Sequence, residues 1–293
     1  MSASPLVSPD QLQESLGDED LVILDATVVL AAPRFDGDYV AHSGEPRWRA
    51  SHIPGARFAD LLGNLSDHAA PFHFAVPAPG ALATALRDLG VADGRRVVVY
   101  DGESGLWAAR LWWMLRGIGV TATVLDGGFG RWREEGRPVQ SGDCAPLPGG
   151  PLTPRPDPGV WTDRATVEAV VRGEAPGTLV CALTADVFSG RTPTRYARRG
   201  AIPGSRNFPA RELFDARGVY HSTAELQSRA AAYLAGAARP LILYCGGGIS
   251  AAANALALTL VGETALSIYD GSLEEWAADP ALPLVQSEPP AMR

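Results

Sequence analysis

Hydrophobic positions in this chain fall in short, nearly continuous runs rather than in alternation. Leu21-Val22-Ile23-Leu24 closes on Asp25, Val97-Val98-Val99-Tyr100 closes on Asp101, and Thr121 to Leu125 forms a third run. Such runs, rich in β-branched residues and bounded by polar ones, predict strands of a parallel sheet buried on both faces. Between the last two, Leu106 to Leu115 sets Trp107, Leu111 and Met114 at helical spacing. Strand, helix, strand is the βαβ unit, which places helices on both faces of a parallel sheet. The later half repeats the order with Leu179-Val180, Leu241 to Tyr244, an Ala-rich helix over Ala251 to Leu260, and Ala265 to Tyr269. The predicted fold class is α/β, in two small parallel sheets flanked by helices.

The halves also resemble each other residue by residue. Val97 to Asp101 precedes Leu241 to Cys245 by 144 residues. The same offset aligns Leu125-Asp126-Gly127-Gly128-Phe129 and Trp132 with Tyr269-Asp270-Gly271-Ser272-Leu273 and Trp276. His52-Ile53-Pro54-Gly55-Ala56 matches Ala201-Ile202-Pro203-Gly204-Ser205 at an offset of 149. A period this long indicates a duplicated domain rather than a solenoid of short repeats. Between the copies, prolines crowd from Pro138 to Pro158. Proline fixes φ and lacks a donor, so this stretch reads as a semi-rigid linker. The expected division is residues 1–138, a linker over 139–159, and residues 160–293.

Composition narrows the function classes. Of the 293 residues, 46% are hydrophobic and 20% charged, enough to bury a real core. The net charge of −8 argues against a nucleic-acid partner or an anionic membrane surface. Three cysteines make no disulfide framework and no C-x-x-C zinc pair, so no metal is expected. The first residues lack the basic stretch and apolar run of a signal peptide, and no run nears the roughly 20 apolar residues of a membrane span. Reduced thiols and these absences lead to the expectation of a cytoplasmic protein.

The chemistry concentrates in Tyr244-Cys245-Gly246-Gly247-Gly248-Ile249-Ser250-Ala251. An apolar strand ends at a cysteine, and a glycine-rich loop leads into a helix. Ligands of open α/β sheets bind at the carboxyl ends of strands. Glycines let successive N–H groups turn inward, and the helix N-terminus adds positive partial charge. Together they favour a thiolate at Cys245. Gly246, Gly247, Gly248, Ile249 and Ser250 are the candidate binding residues, with Ser250 expected as the helix N-cap. Cys144 in the linker and Cys181 on a short strand read as inert small hydrophobes. A cysteine phosphatase would carry an arginine after the five-residue loop, where this chain has Ala251.

Here the sequence resembles the tandem-domain rhodanese and 3-mercaptopyruvate sulfurtransferase family. The resemblance runs from about Leu6 to Leu284. It rests on Leu24-Asp25-Ala26, His52 to Ala56, Tyr100-Asp101, Asp126-Gly127-Gly128 with Trp132, Ile202-Pro203-Gly204, the Cys245 loop, and Asp270-Gly271 with Trp276. It implies two rhodanese-like modules, the first inactive with Asp101 at the cysteine position and the second catalytic. It further implies a sulfurtransferase working through a Cys245 persulfide without a cofactor. The donor would be a small sulfur-bearing anion, and the acceptor a thiol, cyanide or a sulfur-carrier protein.

Several positions depart from the family pattern. The loop has no cation, which favours 3-mercaptopyruvate over thiosulfate, yet Gly247 stands where the mercaptopyruvate type has a serine. Val187 replaces the first substrate arginine of an Arg-Phe-x-Gly motif, while Phe188 and Gly190 match. Arg195 is the candidate for the second carboxylate-binding arginine, and Arg191 for compensation. Cys181 stands where an aspartate is usual. Arg198, Arg199 and Arg206 are read as steering charge. By resemblance His52 is a possible relay residue; without the loop serine it reads instead as an interface hydrogen-bonder. His42, His68, His73 and His221 are taken as surface or loop residues. The alternatives are a thiosulfate:cyanide-type sulfurtransferase and a non-catalytic rhodanese-like module for sulfur carriage or sensing.

Overall fold

The computed structural model describes residues 4–286 apart from Pro146 and Pro148. Its strands are β1 Leu6–Val7, β2 Leu21–Asp25, β3 Val28–Leu30, β4 Ala41–Ser43, β5 Arg57–Phe58, β6 Arg96–Tyr100, β7 Ala122–Leu125, β8 Trp161–Thr162, β9 Thr178–Cys181, β10 Arg206–Asn207, β11 Leu241–Tyr244 and β12 Leu266–Tyr269. The apolar runs became the central strands, because only a strand with both faces covered can be apolar throughout. Every residue of β2, β11 and β12 is buried.

The strands assemble into two five-stranded sheets, β1-β7-β6-β2-β5 and β10-β9-β11-β12-β8. All their pairings are parallel. Matching β2 with β9, β5 with β10, β6 with β11, β7 with β12 and β1 with β8 makes the two orders identical. The internal repeat is therefore a repeat of topology. It reaches single contacts: the Tyr100 hydroxyl accepts the Ile53 N–H at 3.3 Å, and the Tyr244 hydroxyl accepts the Ile202 N–H at 3.2 Å.

The halves meet through the helices that follow β6 and β11. Leu106–Gly117 and Ile249–Leu260 pack on each other. Each is apolar nearly all round, as a helix must be when a sheet covers one side and another helix the other. Trp113 is fully buried there, and its indole N–H donates to Val160 O at 3.3 Å. The alanines of the second helix permit close approach without large side chains.

Beyond Gln140, the described residues up to Gly159 form neither helix nor strand. The segment is nonetheless laid on the first half. His52 and Gln140 form an antiparallel bridge, Asp93 N–H donates to Pro151 O at 2.8 Å, and Arg155 N–H donates to Ile118 O at 2.8 Å. One element lacks a counterpart in the second half: β3 and β4 form an antiparallel hairpin. It reaches across to the other half, where Gly37 N–H donates to Thr194 O at 3.0 Å and Asp36 pairs with Arg199 at 2.8 Å.

Candidate active site

Cys245 is the first residue beyond β11, at the carboxyl edge of the second sheet, and only 2% of it is exposed. The turn after β12 holds its loop from below. Ser272 Oγ accepts the N–H of Cys245 and that of Gly248, both at 3.1 Å, and donates to Tyr269 O at 2.8 Å. Leu273 N–H donates to Cys245 O at 3.1 Å, and Glu274 N–H to Gly246 O at 2.9 Å. Ser272 does this from a left-handed backbone, φ 48°, which side chains other than glycine rarely adopt.

Two of the three loop glycines are dictated by contact. Gly248 has φ 78°, and a side chain there would meet Arg110 Nη1 at 2.7 Å. At Gly246 a Cβ would come within 1.7 Å of the Tyr196 hydroxyl. Gly247 has more room, with nothing nearer than 3.6 Å. Gly248, rather than Ser250, is the N-cap, and the helix begins at Ile249. The left-handed turn at Gly248 starts the helix earlier than the Ser250 cap required. No side chain caps this end, so its first N–H groups remain for an anion at the loop.

The first half shows what such a cradle accepts. Asp101, at the position of Cys245, folds its own carboxylate into the loop. Oδ1 accepts N–H groups from Glu103 at 2.9 Å and from Ser104 and Gly105 at 3.0 Å, and Oδ2 accepts that of Ala108 at 2.8 Å. Gly105 caps that helix at φ 75°, much as Gly248 does. One loop is thus filled by a built-in anion, while the other presents a sulfur.

The first half also walls the site. Arg110, 1% exposed, crosses the interface to Asp270 at 2.7 Å, binds Phe74 O of its own half at 2.6 Å, and lies over the Trp161 ring at 4.8 Å. Its Nε and Nη1 have no partner among the described residues. Asp270 is held from its other side by Val76 N–H at 2.8 Å. His73 bonds Glu274 across the interface and stacks on Tyr39 at 4.2 Å. Burial pushes the Glu274 carboxyl up, and the His73 bond opposes this. His73 was expected to be an ordinary loop residue; the partner that gives it a place is 201 residues away.

The remaining predicted residues separate. Arg195 binds Ala31 O through Nε at 3.1 Å and Nη2 at 2.5 Å, which ties it to the hairpin beside Tyr39. Its charge is felt by Tyr39 and Tyr196, which also feel Cys245. Arg191 is turned to Asp186 on the exposed surface. The three expected steering charges are structural. Arg198 donates to the carbonyls of Ala277, Leu282 and Asp279, Arg199 pairs with Asp36, and Arg206 binds Tyr233 and Ala235 carbonyls. Both ring nitrogens of His52 are engaged away from the loop, Nδ1 on Trp48 O at 2.7 Å and Nε2 on Cys144 Sγ at 3.2 Å. A relay through His52 is therefore not formed. Cys181 is fully buried, and that burial pushes its thiol up to about 12.

The rhodanese-like domain model matches residues 8–135 and 181–279, one stretch on each sheet. The chain belongs to the rhodanese-like family. A curated relative, the 3-mercaptopyruvate sulfurtransferase of Escherichia coli, is 33% identical over 97% of this chain and 99% of its own length. The thiosulfate/3-mercaptopyruvate sulfurtransferase 2 of Arabidopsis thaliana is 32% identical over 97% of this chain and 87% of its own. The crystal structure of the Escherichia coli 3-mercaptopyruvate sulfotransferase SseA superposes with a TM-score of 0.79 at 30% identity, covering 92% of this chain and 99% of that one. The rhodanese-like fold expected from the sequence is thus the fold observed, and sulfurtransferase is the enzyme class shared by these relatives.

Sequence reasoning missed Ser272, Arg110, Asp270, Tyr39, Tyr196 and Glu274 around this rhodanese-like loop. Two of them left a signal: Asp270 stands in the repeated Asp-Gly motif, and Ser272 is the single change between Asp126-Gly127-Gly128 and Asp270-Gly271-Ser272. A cavity of about 840 Å³ is lined by Trp161, Arg164, Ser267 and Glu275, and not by Cys245. No helix among the described residues is long and apolar enough to cross a membrane.

Proposed function

We propose that this protein moves a sulfane sulfur from a small anionic donor to a thiophilic acceptor through a persulfide on Cys245. The observation that carries the reading is the uncapped helix start behind Cys245, reached through three glycines and matched in the first half by a loop that holds a carboxylate. The sulfur of Cys245 attacks the transferable sulfur of the donor, forming an S–S bond as that sulfur's bond to the rest of the donor breaks, a displacement at sulfur related to thiol–disulfide exchange. The N–H groups of Gly247, Ile249 and Ser250 then serve the persulfide anion as preorganised donors, while Ser272 holds the Gly248 N–H. A thiol, cyanide or a sulfur-carrier protein removes the sulfur and restores Cys245.

3-Mercaptopyruvate is the favoured donor, because no cationic side chain sits in the loop to suit a thiosulfate dianion. The names of the relatives agree with that choice. Arg195 lies beside the site to receive a carboxylate. Residues 1–138 serve as the supporting module, 139–159 as the linker and 160–293 as the catalytic module. The three free cysteines suit a reducing compartment, the cytoplasm. Initial rates with 3-mercaptopyruvate and with thiosulfate, using cyanide or dithiothreitol as acceptor, test the donor choice. A higher kcat/KM for thiosulfate would overturn it.

A further inference from the structure

Taking sulfur from a mercapto-ketoacid raises a demand that thiosulfate does not. When the Cys245 thiolate attacks the donor thiol sulfur, a new S–S bond forms and the donor C–S bond breaks, while the thiol proton stays on the outer sulfur and passes to solvent as the persulfide ionises. The electron pair stays on carbon, and the leaving group is the enolate of pyruvate. That enolate must take a proton to become pyruvate. Sulfite, which leaves from thiosulfate, needs none.

The Tyr196 hydroxyl, set against Gly246 of the loop, is placed to meet this demand. The Tyr196 ring is 6% exposed and belongs to the core cluster of Cys181, Ile202, Tyr244 and Trp276. Its backbone is fixed by Thr194, whose Oγ1 accepts Tyr196 N–H and donates to Tyr196 O, both at 3.1 Å. Thr194 N–H in turn donates to Asp36 of the hairpin at 3.0 Å. The phenol oxygen lies on Gly246, so close that any side chain there would collide with it. Tyr100, Tyr233, Tyr244 and Tyr269 spend their hydroxyls on protein partners. The Tyr196 hydroxyl has no such partner among the described residues. Burial raises its pKa well above the ordinary phenol range, so the proton is held at neutral pH.

We infer that Tyr196 is a catalytic acid of the sulfur-loading step, donating its phenolic proton to the departing enolate. This rests on the sulfurtransferase reading above. The phenolate regains its proton from solvent water. Gly246 has a second role in this view: it leaves the space in which the phenol stands. Arg195, one residue earlier in the chain, would hold the donor carboxylate beside it.

The test uses Tyr196→Phe, which keeps the ring and removes only the hydroxyl. Loading of Cys245 is followed by rapid quench and intact mass, in single turnover at saturating donor. Three donors are compared: 3-mercaptopyruvate, thiosulfate and inorganic tetrasulfide. The latter two release sulfur anions that need no proton on carbon. Loss of a general acid predicts a fall of about 100-fold with 3-mercaptopyruvate, and less than about threefold with the sulfur-leaving donors. Equal rates for Tyr196→Phe and wild type with 3-mercaptopyruvate, or an equal fall with all donors, would overturn the role of Tyr196. Failure of wild type to load from any of the three would instead overturn the underlying sulfurtransferase reading.

Discussion

Replacing Ser272 with alanine removes one oxygen atom and leaves the outline of the loop unchanged. That oxygen accepts two buried N–H groups, those of Cys245 and Gly248, and donates to Tyr269 O. Ser272 is fully buried, so the freed groups have no solvent to turn to. An orphaned buried donor costs about 1–3 kcal/mol, so two give a loss of about 2–6 kcal/mol. Against a typical total of about 5–15 kcal/mol this is readily measured by guanidinium denaturation. Ser272→Gly separates the hydroxyl from the strained backbone. It loses the same acceptor but relieves the left-handed conformation, and should be more stable than Ser272→Ala by about 1 kcal/mol. Both variants should load sulfur on Cys245 more slowly, since Ser272 fixes both ends of the loop that carries the cradle. A loss below about 0.5 kcal/mol in Ser272→Ala, the ordinary range of surface substitutions, would refute the idea that this hydroxyl holds the loop.

Two further outcomes concern the frame around the site. Arg110→Met cuts the bond to Asp270 and the bond to Phe74 O. Breaking a buried ion pair from one side usually costs about 3–5 kcal/mol. Here the orphaned Nε and Nη1 disappear with the side chain, and Val76 still holds Asp270. The expected loss is therefore smaller, about 2–3 kcal/mol by denaturation. Asp25 gives a pH signature. It is 3% exposed, and burial raises its carboxyl from 3.8 to about 6. The unfolded chain ionises it first, so folding loses stability as pH rises from about 4 to about 6 and regains none above. The interval of roughly two units corresponds to about 3 kcal/mol. Asp25→Asn keeps an acceptor for Thr27 N–H at 2.9 Å and should gain on wild type by about that amount between pH 4 and pH 7. Equal pH profiles for the two proteins would contradict this.

The sheets were legible because their signal is local. A short apolar run such as Leu241 to Tyr244, closed by a glycine-rich loop, reads as a strand covered on both faces, and the 144-residue repeat made the second sheet a copy of the first. The Cys245 loop was legible for the same reason, since strand end, glycines and helix lie within eight residues. The rest of the site was not. Arg110 reaches Asp270 across 160 residues and His73 reaches Glu274 across 201. Those pairings depend on how the two halves dock, which no local pattern encodes. The arginines misled for the opposite reason. Arg198, Arg199 and Arg206 stand close to the site motif in sequence, but carbonyls and Asp36 claim them in space. Ser250 looked like a cap because it is a serine before alanines, yet the left-handed glycine before it had already begun the helix.

The most direct test of the central claim is the intact mass of the protein after incubation with 3-mercaptopyruvate and removal of excess donor. The account predicts a gain of one sulfur atom, mapping to the peptide that carries Cys245 and lost on adding cyanide. Cys245→Ser should gain nothing, while Cys144 and Cys181 remain unmodified in the wild type. Sulfur on either of those two cysteines in place of Cys245, or no gain from 3-mercaptopyruvate or thiosulfate, would contradict it.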